Sequence, residues 1–492
     1  MSLKRSFKLA AIASAVIMST TAWSQQQGSQ TLEKVVEQAI LTHPEIRARF
    51  HDFQSSLEGQ KVVRGGMLPQ VSAQGWVGRE WRSRVPDSPS YDWGRHGYSL
   101  ELRQLLFDGF TTYNTYRQLG FEKLSGYFEL LATTDALANE AVNAYIDVQR
   151  YREMEVLARD NFRMHENTLG HLRERQESGV GRGVDLEQAY GRLALAQTNL
   201  MTESNNLNDV TQRYRRLVGE LPAPVLADVP DVANQLPQAP ENFLESVRVN
   251  PSLLSKQALV HAAEKGKEAA TGTLYSPTLE FRASTGTDRE LPGRSNRDIQ
   301  SSRVQLVMSY NLYRGGADAA RVRQTSAQMY AARDVRDYTC RNVQQELAVA
   351  WNNVMRLRHQ LPFLQEHELA TSKVRTAYQQ QFQIGQRSLL DLLDTENELF
   401  DSRRALLNGI YDLKKAEYRW LALSNRVLPV LGIAQPHTQE FQETSDFLLP
   451  DESLKACVAP LPDTSNLTPI TVEYRDGMRP PVVRTGSPAN RN

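Results

Sequence analysis

Cysteine, net charge and long apolar runs are all scarce in this sequence, and each shortage removes a class of protein. The 492 residues hold two cysteines, Cys340 and Cys457, too few for a disulfide framework. Cys340 falls within a helical pattern and reads as a buried thiol, although an exported chain could also pair the two. Lys+Arg and Asp+Glu both total 57, so no surplus charge draws the chain to nucleic acid or anionic lipid. Mean hydropathy is −0.50. Beyond the N-terminal segment no apolar run approaches the ~20 residues that a spanning helix needs. Any membrane role therefore falls to strands.

Motifs that carry chemistry are missing as well. The nine histidines form no HExxH and no cluster with metal-ligand spacing. His165 and His171 read as surface residues of a helix. Gly179-Val-Gly-Arg-Gly183 lacks the Lys-Ser/Thr of a phosphate loop and follows a helical segment, not a strand. With no Ser-His-Asp or Cys-His constellation, neither an enzyme nor a cofactor is expected. Work done through this protein must draw its energy from partners.

The N-terminus has the layout of a secretory signal. Lys4, Arg5 and Lys8 precede a short apolar region, Leu9 to Met18, and Ala22 and Ser24 suit the positions before a cleavage site. Cleavage is placed after Ser24, making 1–24 the signal peptide.

The strongest feature is a unit written twice. Glu140-Ala-Val-Asn-Ala-Tyr145-Ile-Asp-Val148-Gln-Arg150-Tyr-Arg152 aligns with Glu346-Leu-Ala-Val-Ala-Trp351-Asn-Asn-Val354-Met-Arg356-Leu-Arg358 at one constant offset. The same offset carries Gly179 and Asp185 onto Gly385 and Asp391, and Phe107-Asp-Gly109 onto Tyr313-Arg-Gly315. His43-Pro44-Glu45 answers Asn250-Pro251-Ser252 one position out of step, as a short loop insertion would give. The repeats occupy 25–219 and 241–434, joined by a Pro-rich connector at 220–240. A polar, Pro-rich tail follows at 435–492, much of which is expected to be disordered.

Each half reads as helix, β-hairpin, long helix, break, helix. Leu32, Val35, Val36, Ala39 and Ile40 repeat with helical period, and Thr42 with Glu45 suggests a capping box for the next helix. A hairpin follows at about 70–107, and its counterpart lies at about 278–313. In the second, Leu279, Phe281 and Ala283 alternate with Glu280, Arg282 and Ser284. Val304, Leu306, Met308, Tyr310 and Leu312 alternate with polar neighbours. The charged links from Arg82 to Asp92 and from Arg289 to Gln300 read as solvent loops. From about Thr111 to Glu177 the pattern is helical. Leu124, Phe128, Leu131, Ala138, Val142 and Tyr145 are spaced for side-by-side helix packing. Such a run is about 100 Å long, beyond any ordinary globular domain.

Four strands cannot close a barrel, and an open edge in lipid leaves backbone groups unpaired. If the hairpins span a membrane, several chains must pool them. Two chains would supply about eight strands, whose side chains fill the interior, and three about twelve, wide enough for a lumen. The competing reading is a soluble four-stranded sheet on a coiled-coil scaffold or adhesin, with no pore.

These features resemble the TolC family of outer-membrane factors. The likeness spans roughly Thr31 to Leu431. It rests on the duplicated layout, on Leu68-Pro69-Gln70 and Ser276-Pro277-Thr278 before the strands, on Asn311-Leu-Tyr-Arg-Gly-Gly316, and above all on Gly385-Gln-Arg387-Ser-Leu-Leu-Asp391-Leu-Leu-Asp394. The resemblance implies a mainly α fold with a membrane β-barrel contribution. It implies a homotrimer in the outer membrane of a Gram-negative bacterium, with a barrel of twelve strands continuing into a periplasmic α-helical tunnel. The implied partners are a periplasmic adaptor and an inner-membrane ABC transporter or RND pump. The long loops and tail resemble the subgroup that exports large adhesins by type I secretion. The multidrug efflux duct is the alternative.

In the protein that gives the family its name, the motif's two aspartates line the periplasmic entrance. That implies an entrance ring of Asp391 and Asp394, which share a helix face. On spacing alone, a first-turn aspartate stabilising a helix N-terminus beside a solvated neighbour is the preferred explanation, and the resemblance reverses that preference. The resemblance also implies a gate contact between Arg387 and Asp185. Phe382 stands where the family has a tyrosine, and Val184 where it has a threonine, so two family contacts cannot form and a weaker or differently built latch is expected.

Overall fold

The computed structural model describes residues 29–84, 88–179, 181–237, 243–289 and 298–435, followed by Leu454, Val458, Ala459, Pro462 and residues 464–470. The signal segment at 1–24 and most of the tail lie outside the described residues. In chain order the elements are α1 (Leu32–Thr42), α2 (Pro44–Gly65), β1 (Gln70–Arg84), β2 (Ser88–Phe107), α3 (Thr111–Glu177) and α4 (Gly183–Val218). After the connector come α5 (Phe243–Arg248), α6 (Pro251–Tyr275), β3 (Thr278–Arg289), β4 (Asp298–Ser309), α7 (Ala317–Gln383), α8 (Leu389–Leu423) and α9 (Val427–Val430). The two halves match closely: α3 and α7 are each 67 residues long. No helix among the described residues is long and apolar enough to cross a membrane.

The repeated glycines mark places where the backbone must turn left-handed, a region glycine enters without steric penalty. At the strand-to-helix turns, Gly109 and Phe110 have φ of 70° and 61°, and Gly315 and Gly316 have 64° and 81°. A Cβ on Gly109 would also lie 2.4 Å from that of Ser276. At the far ends of the long helices, Gly179 (80°) and Gly385 (77°) make the turns into α4 and α8.

The strands form one antiparallel sheet in the order β1-β2-β3-β4. Registers such as Ala283 opposite Leu102 and Val304 place the apolar side chains on one face. Val71, Leu100, Leu102, Ala283, Val304, Leu306 and Met308 share it, and Val304, Leu306 and Met308 are 64–72% exposed. The opposite face carries Gln70, Glu101, Arg103, Glu280, Arg282, Arg303 and Gln305. There Glu280 is paired with both Arg103 and Arg282. Pairing extends further than the alternation suggests. Arg82 is opposite Tyr91 and Arg84 opposite Ser88, so the expected solvent link at Arg82–Asp92 is largely strand. β4, in contrast, stops at Ser309 and leaves Tyr310 and Leu312 outside it.

The main core lies midway along the long helices, around Leu32, Val35, Val36, Ala39, Tyr145, Leu347, Trp351, Tyr418 and Trp420. The connector is tied into it. Gln30 and Leu226 form a parallel bridge, and the Tyr145 hydroxyl lies 2.8 Å from the Gln30 carbonyl and 2.6 Å from that of Ala227. Burial raises the Tyr145 pKa to about 12. The duplication reaches the ion pairs: Arg216–Glu140 joins α4 to α3, and Arg419–Glu346 joins α8 to α7, both at 3.5 Å.

Two local expectations are corrected, for the α2 cap and for Cys340. His43, not Thr42, caps α2. Its Nδ1 accepts from the Glu45 N–H at 3.3 Å, while the Thr42 hydroxyl turns back to the Gln38 carbonyl. The Cys340 side chain is buried as expected but is disulfide-bonded, not a thiol. Cys457, the only other cysteine of the chain, lies outside the described residues. Part of the tail packs against the body: Leu454 is fully buried in the main core and Val458 packs beside it.

Candidate channel entrance

The two hairpins of helix, α3–α4 and α7–α8, meet at the ends marked by Gly179 and Gly385. Leu172 of α3, Ala189 of α4 and Leu389 and Leu393 of α8 form a small buried cluster, with Leu169, Leu186 and Phe382 against it. The guanidinium of Arg175 sits 5.8 Å from the centre of the Phe382 ring. Phe382 thus supplies an apolar contact and a cation–π partner where a tyrosine would supply a hydroxyl.

Ser388 caps α8, its hydroxyl accepting from the Asp391 N–H at 3.2 Å. Asp391 therefore occupies the first turn, where a carboxylate is favoured by the helix dipole. A hydrogen bond from Ser388, and after it the charge of Arg387, holds its pKa below the ordinary carboxylate value. Helix stabilisation and a place at the tip coexist in this one residue.

Arg387 does not reach Asp185 in this structure. Its Nη1 lies 3.6 Å from the Asp391 carboxylate, its Nε donates to the Gln381 amide oxygen at 3.0 Å, and its guanidinium stacks 4.3 Å from the centre of the Tyr378 ring. Arg387 immediately precedes the Ser388 cap of α8, which sets it beside the first-turn Asp391. Asp185 sits in the first turn of α4, and among the described residues no ion pair joins it to Arg387. Val184 is exposed.

The contact between the inner helices is instead Arg192 of α4 with Asp394 of α8, an ion pair with a direct hydrogen bond. Arg192 was not among the candidate residues. A signal existed: Asp185, Ala189 and Arg192 follow helical spacing, which puts Arg192 on the side of α4 that Ala189 buries. Its partner, with no counterpart in the repeat, could not be read. Deeper in, Arg375 pairs with the nearly buried Glu396 at 2.6 Å. His165 is also buried, at 2% exposure, contrary to the expected surface position. Burial lowers its pKa below the ordinary value of 6.5.

The arrangement offers charged and hydrogen-bonding groups at the joined tips but no reactive constellation. Among the described residues no group of three His, Cys, Asp or Glu side chains is placed to hold a metal ion.

Comparison with known proteins gives one consistent likeness. The profile of the outer membrane efflux protein family matches residues 35–220 and 245–425. The outer membrane efflux protein BepC of Brucella suis is 24% identical over 419 residues, 85% of this chain and 90% of that protein. The outer membrane protein TolC of Escherichia coli is 24% identical over 470 residues, covering 88% and 93%. The proteases secretion protein PrtF of Dickeya chrysanthemi is 23% identical over 406 residues, covering 78% and 84%. Among solved structures, the Campylobacter jejuni CmeC outer membrane channel shares the fold with a TM-score of 0.73. Its identity is 14%, and the match covers 91% of this chain and 98% of that one.

Proposed function

Because the chain belongs to the outer membrane efflux protein family, we propose that it is the exit duct of a tripartite system for type I secretion, passing a large adhesin-like protein out of a Gram-negative cell. As an outer-membrane channel with a periplasmic tunnel it needs no chemistry of its own. Residues 1–24 direct export of the chain and are then removed.

One observation carries the duct reading: a two-faced sheet of four strands, apolar on one side and charged on the other, standing on helices of 67 residues. β1 and β4 each have a single neighbour in the sheet. In lipid such edges are untenable at several kcal/mol per unpaired group. Pairing β4 of one chain with β1 of the next removes them, and three chains then close a barrel of about twelve strands with room for a lumen. The apolar face meets lipid and the face of Arg103, Glu280, Arg282 and Arg303 lines water. An adaptor bound around the tunnel would couple it to an inner-membrane ABC transporter.

Likeness to the proteases secretion protein PrtF supports a protein cargo. The second reading, a multidrug efflux duct working with an RND pump, is favoured by the likeness to the efflux protein BepC. Deletion of the gene separates them. Loss of one large protein from the medium or cell surface, with unchanged drug tolerance, is expected for secretion. Increased drug sensitivity with an unaltered set of exported proteins would replace it with efflux.

At the periplasmic end, Asp391 and Asp394 of three chains would face a narrow mouth, and the apolar contact through Phe382 with the Arg192–Asp394 pair would hold it shut. Arg387, held at Asp391 within its own chain, is left to approach Asp185 only of a neighbouring chain.

A further inference from the structure

A mouth ringed by bare carboxylates would concentrate cations and bind multivalent ones. In this chain neither aspartate is bare. Arg387 lies against Asp391 and Arg192 against Asp394. Each of these two aspartates is therefore compensated by an arginine of the same chain. All four side chains are solvent-accessible, with relative exposures of 39% and 40% in the first pair and 32% and 54% in the second, so compensation acts directly on the water beside them.

The two pairs differ in one respect. Arg387 and Asp391 are four residues apart at the start of α8 and move as one body. Arg192 belongs to α4 and Asp394 to α8. They come from different hairpins, and the pair cannot survive separation of those hairpins.

Resting on the reading of these tips as the mouth of a trimeric duct, we propose that Arg192 and Arg387 set its ion preference by compensating Asp394 and Asp391, Arg387 permanently and Arg192 only while the hairpins are joined. Opening then uncovers Asp394 alone, one carboxylate per chain. The closed mouth has no strong cation preference, and the open mouth acquires one. Selectivity is thereby coupled to the state of the gate through the Arg192–Asp394 pair.

The test uses the purified full-length protein in planar bilayers, with a KCl gradient to measure the cation-to-anion permeability ratio and lanthanum chloride on the periplasmic side as the blocking probe. Migration as a trimer on unheated gels establishes assembly of each variant. Arg192→Ala should raise the permeability ratio by up to about tenfold, the low end of local counter-ion enrichment in a charged cleft, and should sensitise the current to lanthanum. Asp394→Asn should move both readouts the opposite way. Arg192→Lys should keep wild-type behaviour, and the Arg192→Ala/Asp394→Asn double variant should return close to it. A purely structural loosening of the tips would shift both single variants in the same direction, and that result overturns the proposal. So does an assembled, conducting Arg192→Ala channel indistinguishable from wild type. If assembled wild-type trimers pass no ions at all, the duct reading falls first and this inference falls with it.

Discussion

Gln344 of α7 engages both backbone polar groups of Ala459, accepting from its N–H at 3.0 Å and donating to its carbonyl. An amide side chain used this way satisfies both backbone groups of one residue and fixes that residue against α7. Cys340, one helical turn earlier on α7, is disulfide-bonded, and Leu454 fills the core nearby. The described part of the tail is thus fastened to the middle of the molecule by the Gln344 clasp and by the burial of Leu454.

The clasp predicts a measurable loss. Cys340→Ser removes a disulfide, worth about 2–4 kcal/mol. The thermal midpoint should fall accordingly, as it should when wild type is heated with a reductant. Gln344→Ala should cost about 1–2 kcal/mol through two lost hydrogen bonds while leaving the disulfide intact. Limited proteolysis should release a C-terminal fragment sooner from both variants than from wild type. Unaltered midpoints and cleavage rates would show that the docking contributes nothing.

Asp135 sets a pH dependence. Its carboxyl is 5% exposed in the middle of α3, and Oδ2 has no hydrogen-bond partner. Burial raises its pKa from 3.8 to about 8. Between those values the folded chain keeps the proton and the unfolded chain has released it. Stability therefore falls as pH rises through that window, by up to ~1.4 kcal/mol per pH unit, and levels off above about pH 8. Asp135→Asn removes the titration. Melting curves from pH 4 to 8 should show the variant gaining on wild type as pH increases, with the difference vanishing near pH 4. A constant difference across the range would refute the assignment.

Asp147 of α3 is 4% exposed and bridges two other helices. Lys415 of α8 lies at 2.9 and 3.1 Å from its two oxygens, and Arg213 of α4 at 3.6 Å. Removing one partner from a buried charge leaves part of its desolvation unopposed. Lys415→Met should destabilise by on the order of 2 kcal/mol, moderated by the remaining arginine. Adding Asp147→Asn should recover much of that loss, because no buried charge is then left short of a partner. Additive losses in this cycle would mean that the pair is not coupled.

The parts of the structure legible in the sequence are those where a backbone demand or a periodicity repeats. Gly179 and Gly385 stand at equivalent left-handed turns, and the spacing from Leu124 to Tyr145 is a buried seam along α3. The alternation in β3 and β4 gave both faces of the sheet, because side chains of a strand must point to opposite sides. What could not be read is contact between residues that share no pattern. Arg192 and Asp394 are 202 positions apart, and their counterparts in the other half are not paired alike. Cys340 sits in a helical pattern whether its sulfur is free or bonded, so neither spacing nor burial distinguishes the two. Histidine is common on surfaces, and nothing local in the sequence marks His165 as lying on the buried side of α3.

The two faces of the sheet make the sharpest demand, because one position decides which solvent a side chain meets. Arg303 and Val304 are consecutive on β4 and point to opposite sides, Arg303 with Ser284 and Glu101, Val304 with Ala283 and Leu102. If the first face lines water and the second meets lipid, an arginine is tolerated at 303 and excluded at 304. Val304→Arg should cost about 2–4 kcal/mol per chain near the bilayer midplane, multiplied over the copies in the barrel. Heat-resistant trimers should then disappear from the outer-membrane fraction. Arg303→Val should still assemble, since an apolar side chain in a water-filled lumen leaves no charge in lipid. The exchange Arg303→Val/Val304→Arg keeps composition and net charge unchanged, so a soluble sheet, wetted on both sides, would accept it. Failure of the exchange variant alongside Val304→Arg, with Arg303→Val intact, is the expected outcome. Normal assembly of all three would mean that neither face meets lipid.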